Sequence, residues 1–350
     1  MDNEKEKISP VSDGDEIDRN VRLMSPTGMV VRRFFRSKLS IIGLAMIIGL
    51  FLFCWAGPLI YDAWGPREQD VSGKTDYNKY EIQYEKDGKT YTFYQVVEEG
   101  KTINALAGPS KDHLLGTDKE GQDVFTRLMH GGRVSLTLSF FTVFVITLIG
   151  VIFGGIAGYF GGVVDNVIMR ICDILMCLPG FPILLIVGTI LQAANANKEN
   201  PLDPRMNLYL LMGFLTLISW TGTARLVRGQ ILSLREQEYM VAAEAMGYSA
   251  TRKIFKHLVP NVMPQLIVTM TLSLGSMILY EASLSYLGIG VSPNDVTWGR
   301  MINIVAEDQN ILQNFFNVWG PPGICIIIAV LGFNFVGDGL RDALDPRMRR

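Results

Sequence analysis

A long apolar run constrains this chain more than any other feature. It extends from Leu39 to Tyr61, reads LSIIGLAMIIGLFLFCWAGPLIY and contains no charged residue. About 20 apolar residues are enough to cross the hydrocarbon core of a bilayer as an α-helix. The run is too long for the apolar part of a signal peptide, and no small-residue cleavage site stands out after it. We therefore predict an uncleaved transmembrane helix at 39–61.

Further apolar runs predict a polytopic membrane protein. Of all residues, 49% are hydrophobic, and the mean hydropathy is +0.24, because these residues are bunched. The further runs lie at about 134–159, 174–192, 208–220 and beyond, 262–287 and 320–336. The run that begins at 208 is short and must borrow the following TGTARLV to cross. The expected fold is all-α, with about six transmembrane helices.

Basic residues predict how these spans are oriented. Arg and Lys cluster in RRFFRSK at 32–38, at Arg170, in the loop at 225–256 and in the C-terminal RDALDPRMRR. All four positions fall on one side of a six-span protein, and that side should be cytoplasmic. The segment at 62–133 belongs outside, because a long loop crosses the membrane largely regardless of its charge.

The chain then divides into five parts. A cytoplasmic tail with an interfacial helix occupies 1–38, of which the polar residues 1–20 are predicted to be disordered. The other parts are the first transmembrane helix at 39–61, an extracytoplasmic loop at 62–133, a membrane core of five helices at 134–337 that includes a cytoplasmic loop at 229–260, and a cytoplasmic tail at 338–350. Within the outer loop, residues 112–133 predict an amphipathic helix that leads into the second span.

Three Gly-Lys-Thr triplets lie in the outer loop, at 73–75, 88–90 and 100–102. A phosphate-binding P-loop needs a glycine five residues before the Gly-Lys pair, but Glu or Gln stands there each time. Tyr, Ile and Phe instead alternate with polar residues around an Asp-Gly pair, which predicts a β-hairpin. We expect this insertion, at about 71–109, to be external. Its aromatic residues suggest the hypothesis that it contacts a partner protein.

Composition and residue spacing argue against several other functions. The formal net charge of −2 gives no reason to expect nucleic acid as a partner. The four cysteines lie in or beside apolar runs without metal-ligand spacing, which is typical of buried thiols. The three histidines fall on different sides of the predicted membrane. We therefore expect neither a metal site nor an enzyme centre built from histidine and carboxylates.

Glycines recur every fourth residue at the end of the second span. They are Gly150, Gly154, Gly158 and Gly162. Small residues at this spacing let helix backbones approach closely inside a membrane. The pattern fits helix packing and also a sliding seam in a moving transporter.

Two prolines and one acidic residue within the spans indicate a translocation path. Pro179 and Pro182 should bend the third span near its cytoplasmic end, and a broken helix is tolerated where it is buried in protein or lines a water-filled cavity. Glu281 is an ionisable residue within an apolar run, which makes it a functional candidate. A hydrogen bond at a helix end would explain Glu281 equally well. Our candidate residues for the path are Pro179, Met277, Tyr280 and Glu281.

The cytoplasmic loop contains two predicted helices. EYMVAAEAMG is made of strong helix formers, and Gly247 is placed to end the first helix as a C-cap. Ser249 is placed to cap the second helix, which Pro260 should stop.

One side of the first helix predicts a docking surface. Met240, Ala243, Met246 and Gly247 can form a small apolar knob, which Glu238 and Glu244 flank. A helix folded back on its own membrane domain would have the same composition.

This loop resembles the EAA loop of ABC importer permeases. Ala242, Ala243, Gly247 and Pro260 keep its pattern, whereas valines replace the Glu before Ala242 and the Leu before Pro260. Four other stretches resemble the C-type permease subunit of oligopeptide and dipeptide ABC importers, although Gln122 stands where that family usually has Arg. They are HLLGTDKEGQDVFTRLMHGGRVSL, GGVVDNVIMRICDILMCLPG, EASLSYLGIGVSPNDVTWGRMI and NFVGDGLRDALDPRMR.

The resemblance implies a non-catalytic permease subunit with a type I ABC importer fold. The helix at about 236–247 would couple to a cytoplasmic ATPase through Glu238, Tyr239, Met240, Ala242, Ala243, Glu244, Met246 and Gly247. Two cytoplasmic P-loop ATPase subunits would bind ATP and Mg, so no cofactor is expected in this chain. A second, homologous permease subunit would complete the path, and an extracytoplasmic peptide-binding protein would deliver oligopeptides. Membrane lipid would surround the helices.

Two alternatives remain open. A permease for dipeptides, nickel or another small solute would carry the same motifs. An ion-driven secondary transporter would need several intramembrane carboxylates and an inverted repeat. We find one such carboxylate, Glu281, and no convincing repeat.

Overall fold

A computed structural model describes residues 26–72, 75–86, 89–196, 204–288 and 296–345. The predicted disordered tail, the tip of the hairpin and the last five residues lie outside these ranges. The helices are α1 (Pro26–Phe34), α2 (Lys38–Trp55), α3 (Gly57–Ile60), α4 (Val124–Phe160), α5 (Gly162–Cys177), α6 (Gly180–Ala196), α7 (Pro204–Leu234), α8 (Glu238–Ala245), α9 (Ala250–Arg252), α10 (Val259–Tyr286), α11 (Trp298–Glu307), α12 (Gln309–Asn314) and α13 (Phe316–Leu344). A π-helical segment, Lys253–Leu258, joins α9 to α10, and two strands, β1 (Thr75–Lys86) and β2 (Lys89–Lys101), lie between α3 and α4.

The described residues contain five helical stretches long and apolar enough to cross a membrane. They are α2, α4, α7, the stretch from α9 through α10, and α13. A sixth span arises if α5 and α6 are counted together, since the two helices meet at a bend of 75°. This agrees with the prediction of an all-α fold with about six spans. The short fourth run is extended as predicted, because α7 continues through TGTARLV to Leu234 and is long enough to cross a membrane.

The second span begins earlier than its apolar run. The Asp123 side chain accepts a hydrogen bond from the Thr126 backbone N–H and so caps α4, which then continues without interruption to Phe160. The prediction of an amphipathic helix over 112–133 that leads into the second span is therefore correct for 124–133 and wrong for 112–123. Residues 112–123 form turns, two of them at glycines with positive φ, Gly116 and Gly121.

Three of the four glycines in the predicted ladder pack α4 against α7. A Cβ atom would lie 2.6 Å from Thr223 Cβ at Gly150, 2.4 Å from the Ala224 oxygen at Gly154, and 2.9 Å from the Arg228 oxygen at Gly158. No side chain fits in these gaps, so the glycines permit the contact, as predicted. Gly162 is an exception, because it follows the end of α4 and has no atom within 4 Å of its Cβ position.

The predicted break in the third span is confirmed. Leu178 has extended backbone after α5, and α6 begins at Gly180. Pro182 lies in the first turn of α6, where a missing N–H is tolerated. On the other side of the break, α5 is tied to α7: Arg228 donates two hydrogen bonds, of 2.6 and 2.5 Å, to Asp165.

The predicted hairpin is also confirmed. β1 and β2 are antiparallel, with Lys86 opposite Lys89, so that a two-residue turn joins them. Alternation along the strands places five large side chains on one face of the hairpin, and all are about half-exposed. They are Tyr80, Ile82, Tyr84, Tyr91 and Phe93.

Residues on both sides of the hairpin form a compact lobe around His113. The buried His113 ring lies 2.9 Å from Asp123 Oδ2 through Nδ1 and 3.2 Å from Asp70 Oδ2 through Nε2, and Trp64 stacks on it at 4.5 Å. Burial by itself would raise the pKa of Asp70. Hydrogen bonds from Ser72, from Asn104 and from His113 outweigh burial and hold this pKa well below its ordinary value. We call this region, residues 61–72 and 103–123, the outer lobe.

Candidate coupling surface and membrane path

The helix α8 ends in a hydrogen-bonded cap. Gly247 has φ +72°, and its N–H donates to the Glu244 oxygen at 2.9 Å, while the Tyr248 N–H donates to the Ala243 oxygen at 3.1 Å. This pair of bonds is the Schellman motif, which a glycine supports because it enters the left-handed region without strain. The predicted role of Gly247 as C-cap is confirmed. Gly247 also turns the chain sharply into α9.

The inner side of α8 is buried in the membrane domain. Met240 is 3% exposed and Ala243 is 2% exposed. Met240 packs in an apolar cluster whose other members come from α7, the π-helical segment and α10; they are Val227, Ile231, Ile254, Leu258, Val262 and Leu266. The predicted knob is therefore wrong as a single exposed surface, since two of its four residues point inward while Met246 and Gly247 remain exposed.

A different apolar surface is presented to solvent. Val241 and Met246 are each 62% exposed, and Ala242 and Ala245 lie beside them in exposed positions. We call the exposed residues of this helix and its cap the α8 outer face. They are Glu238, Tyr239, Val241, Ala242, Glu244, Ala245, Met246 and Gly247. Sequence reasoning missed Val241 and Ala245. Their spacing of four residues is a helical signal, but the inner side of α8 is equally apolar.

A buried lysine links α8 to the end of α4. Lys253 is 7% exposed. Its Nζ lies 3.8 Å from the Glu244 carboxylate and 5.4 Å from the centre of the Tyr159 ring at the end of α4. Arg235 adds a hydrogen bond of 3.3 Å to the Tyr159 backbone oxygen. The base of α8 is thus joined to α4 and α7 as well as to α10.

The second loop helix differs from its prediction at one end. Ser249 caps α9 by accepting a hydrogen bond from the Arg252 N–H, as expected. Pro260 does not stop the helix, because it lies in the first turn of α10, after the π-helical segment has interrupted the regular hydrogen-bond pattern. The chain consequently passes from the cap of α9 into the fifth span without a loop.

The candidate path residues divide into two groups. Pro179 and Tyr280 are exposed, and the ring of Phe181, next to the break, lies 6.3 Å from the Tyr280 ring. Met277 and Glu281 lie one turn apart on the opposite, buried side of α10, with Glu281 at 0% exposure. The structure therefore does not bring all four residues to one surface. The broken span and Tyr280 share a surface, and Glu281 belongs to the interior.

These features define a class of protein. Several membrane-length helices, a span broken at a proline and a short helix that is buried on one side and exposed on the other are typical of a polytopic transport protein. Among the described residues, no group of three or more His, Cys, Asp or Glu side chains could hold a metal ion.

Comparison with known proteins narrows the class. Residues 150–350 match the family model for the binding-protein-dependent transport system inner membrane component, and residues 25–80 match the N-terminal transmembrane domain of oligopeptide transport permease C. The chain belongs to the family of binding-protein-dependent transport permeases. This confirms the resemblance found in the sequence.

Individual relatives point the same way. The oligopeptide transport system permease protein OppC of Bacillus subtilis is 40% identical over 250 residues, which cover 71% of this chain and 76% of the relative. The dipeptide transport system permease protein DppC of Alkalihalophilus pseudofirmus is 33% identical over 326 residues, covering 93% and 91%. The glutathione transport system permease protein GsiD of Pectobacterium atrosepticum is 37% identical over 242 residues, covering 69% and 75%.

Proposed function

We propose that this chain is the permease subunit of an ABC importer that carries oligopeptides across the cytoplasmic membrane. In this proposal the chain itself performs no catalysis. Two cytoplasmic P-loop ATPases bind ATP with Mg and hydrolyse it, a second homologous permease supplies the other half of the path, and an extracytoplasmic protein delivers the peptide. Both termini and α8 lie in the cytoplasm, which agrees with the basic residues at 225–256.

The observation that carries the coupling role is the two-sided construction of α8. Its outer face presents apolar side chains to solvent, whereas its inner side is fixed by Met240 in a core formed by α7 and α10. Exposed apolar side chains on a rigid element are typical of a docking surface for another protein. A force applied to the outer face would pass into the two spans rather than bend the helix.

We propose oligopeptides as the substrate because residues 25–80 match a domain of oligopeptide transport permease C; the relatives include permeases for oligopeptides, dipeptides and glutathione. These solutes share a peptide backbone and differ in length. The choice among them requires a transport measurement in which the solutes compete. Unlabelled dipeptide and glutathione are the matched competitors for a labelled tetrapeptide.

The first experiment isolates the tagged chain from its native membrane under gentle conditions and identifies its companions by mass spectrometry. We expect one or two P-loop ATPases and a second polytopic permease. The same cells should take up labelled tetrapeptide only while ATP is present, and excess unlabelled tetrapeptide should compete better than dipeptide or glutathione. Recovery of an intact chain alone, with uptake that follows an ion gradient after ATP is depleted, would contradict the proposal. Stronger competition by dipeptide would correct the substrate and leave the mechanism standing.

A further inference from the structure

Glu281 is the most deeply buried acidic side chain of the membrane core, and three hydroxyl groups surround it. Ser285, one turn further along α10, donates a hydrogen bond of 2.7 Å to Glu281 Oε1. Ser135 from α4 and Thr297 before α11 lie beside the carboxyl group, and Glu281 Oε2 is buried without a hydrogen-bond partner among the described residues. Among the described residues, no basic side chain acts on this carboxyl group.

Two of the three hydroxyls are already bound to the first turn of α11. The Trp298 N–H donates to Ser135 Oγ at 3.3 Å, and the Arg300 N–H donates to Thr297 Oγ1 at 3.1 Å. A hydroxyl oxygen that accepts one hydrogen bond can still donate its own proton. Each hydroxyl can therefore link an N–H group of α11 to the carboxyl group of Glu281.

The first turn of α11 packs tightly against α4 and α10. Trp298 is fully buried, and its Nε1 donates to the Leu128 oxygen of α4 at 2.9 Å. A Cβ atom at Gly299 would lie 2.6 Å from the Ala282 oxygen of α10. The helix α11 thus meets both neighbouring spans through its N-terminal turn, directly in front of Glu281.

Beyond this turn, α11 reaches the outer lobe. Glu307 at its other end pairs with Lys119, and hydrogen bonds from Lys119 and Arg300 hold the pKa of Glu307 below its ordinary value. At the opposite end of the molecule, α10 continues into the π-helical segment that packs under α8. Glu281 therefore lies where the span connected to α8 meets the helix connected to the outer lobe.

We propose that Glu281 is a positioning residue that fastens α11 to α4 and α10 through the hydroxyls of Ser135, Thr297 and Ser285. In this role the carboxyl group carries no ion and touches no substrate. It makes α11 and the outer lobe follow the movement of α10. The inference rests on the proposed function for its transport consequence, while the fastening of α11 can be measured without transport.

The test compares Glu281→Leu, which removes every acceptor, with Glu281→Gln, which keeps one acceptor oxygen and the size. Ser283→Ala is the matched control, because Ser283 lies on the exposed side of α10 and its hydroxyl donates to the Leu279 oxygen of its own helix. A cysteine introduced at Ile302 on α11 reports the position of that helix. The exposed Cys177 is first replaced by Ser so that it does not react.

In the first arm, a membrane-impermeant maleimide labels the Ile302→Cys reporter. We expect Glu281→Leu to raise the labelling rate about tenfold, because a loosened helix opens more often. Glu281→Gln should stay within about threefold of the parent, and Ser283→Ala should not change the rate. Thr297→Val should act like Glu281→Leu, and the double variant should be no worse than either single variant, since both remove one connection. An unchanged labelling rate in Glu281→Leu, or fully additive effects, would overturn the proposal.

In the second arm, ATP-driven uptake is measured on the same variants. We expect the Glu281→Leu variant to lose most of the uptake and the Glu281→Gln variant to keep it. If Glu281→Gln is as inactive as Glu281→Leu while its α11 labelling equals the parent's, the carboxylate charge is used in transport and the proposal is wrong. Labelling as expected combined with uptake that does not depend on ATP supports the fastening role and contradicts only the importer mechanism.

Discussion

The α8 helix and the β-hairpin both lie outside the membrane helices, but only α8 has one side buried against them. Met240 and Ala243 bury its inner side in the membrane core, and a buried lysine braces it. The hairpin pairs with itself, and its described side chains are exposed on both faces. An isolated two-stranded hairpin is at best marginally stable in water. A surface is held in a fixed position only if the opposite side of its element is buried.

The largest expected effect tests the buried side of α8 against its outer face. Met240→Asp puts a carboxylate into an apolar cluster and should destabilise the protein by about 3–5 kcal/mol. Val241→Asp, on the next residue, should change stability by less than about 0.5 kcal/mol and yet remove co-purification with the ATPases. Thermal unfolding and pull-down of the two variants give the answer. Equal loss of stability in both would contradict the two-sided description of α8.

A second variant acts on the cap of α8. Gly247→Asp should abolish uptake while the protein still inserts, because the new side chain obstructs docking at the turn. No atom of this chain lies within 4 Å of the Cβ position, so the obstruction concerns the partner. The positive φ adds a strain of about 1 kcal/mol. Gly247→Asn has the same size without the charge and also tolerates this backbone region, so it should abolish uptake as well if side-chain bulk is what obstructs docking. Normal uptake by Gly247→Asp would remove the coupling assignment.

The hairpin should be separable from the membrane domain. Deleting residues 75–103 and closing the gap with a short Gly-Ser linker should change the stability of the membrane helices by less than about 1 kcal/mol, because the described strands pack mainly on each other. If its aromatic face contacts the binding protein, about tenfold more binding protein will be needed for half-maximal uptake. Unchanged uptake at every concentration would disprove that contact.

The smallest effect concerns pH and the outer lobe. The pKa of Asp70 lies below its unfolded value of about 3.9. Its contribution to stability is therefore fully present above that value and is lost as the pH falls toward the folded pKa. We expect the protection of the outer-lobe amides, measured relative to their intrinsic exchange rates at each pH, to be high at pH 5 to 7 and to fall below about pH 4. Asp70→Asn should weaken the lobe at neutral pH and flatten this dependence, and an equally steep dependence in the variant would contradict it.

Local signals predicted several features correctly, although Pro260 does not end its helix as expected. Gly247 and Ser249 cap their helices as expected, because a cap depends on a few neighbouring residues. The break at Pro179 and the pairing of the hairpin strands also follow from residues close in sequence. The spans themselves follow from hydropathy.

Other features depend on contacts between distant residues and could not be predicted. Both sides of α8 are apolar, so only the packing against α7 and α10 decides that Met240 is buried and Val241 exposed. The Arg228–Asp165 pair joins residues 63 positions apart. The three hydroxyls around Glu281 come from α4, α10 and the segment before α11, and no periodicity in the sequence relates them.

The glycine contacts between α4 and α7 have a mechanical consequence. Three successive turns of α4 rest directly on the backbone or Cβ atoms of α7, and a close-packed interface of this kind deforms very little. The two spans are therefore expected to move as one rigid unit. A displacement of α8 would therefore be taken up where other helices join this pair, and the 75° bend between α5 and α6 is one such place.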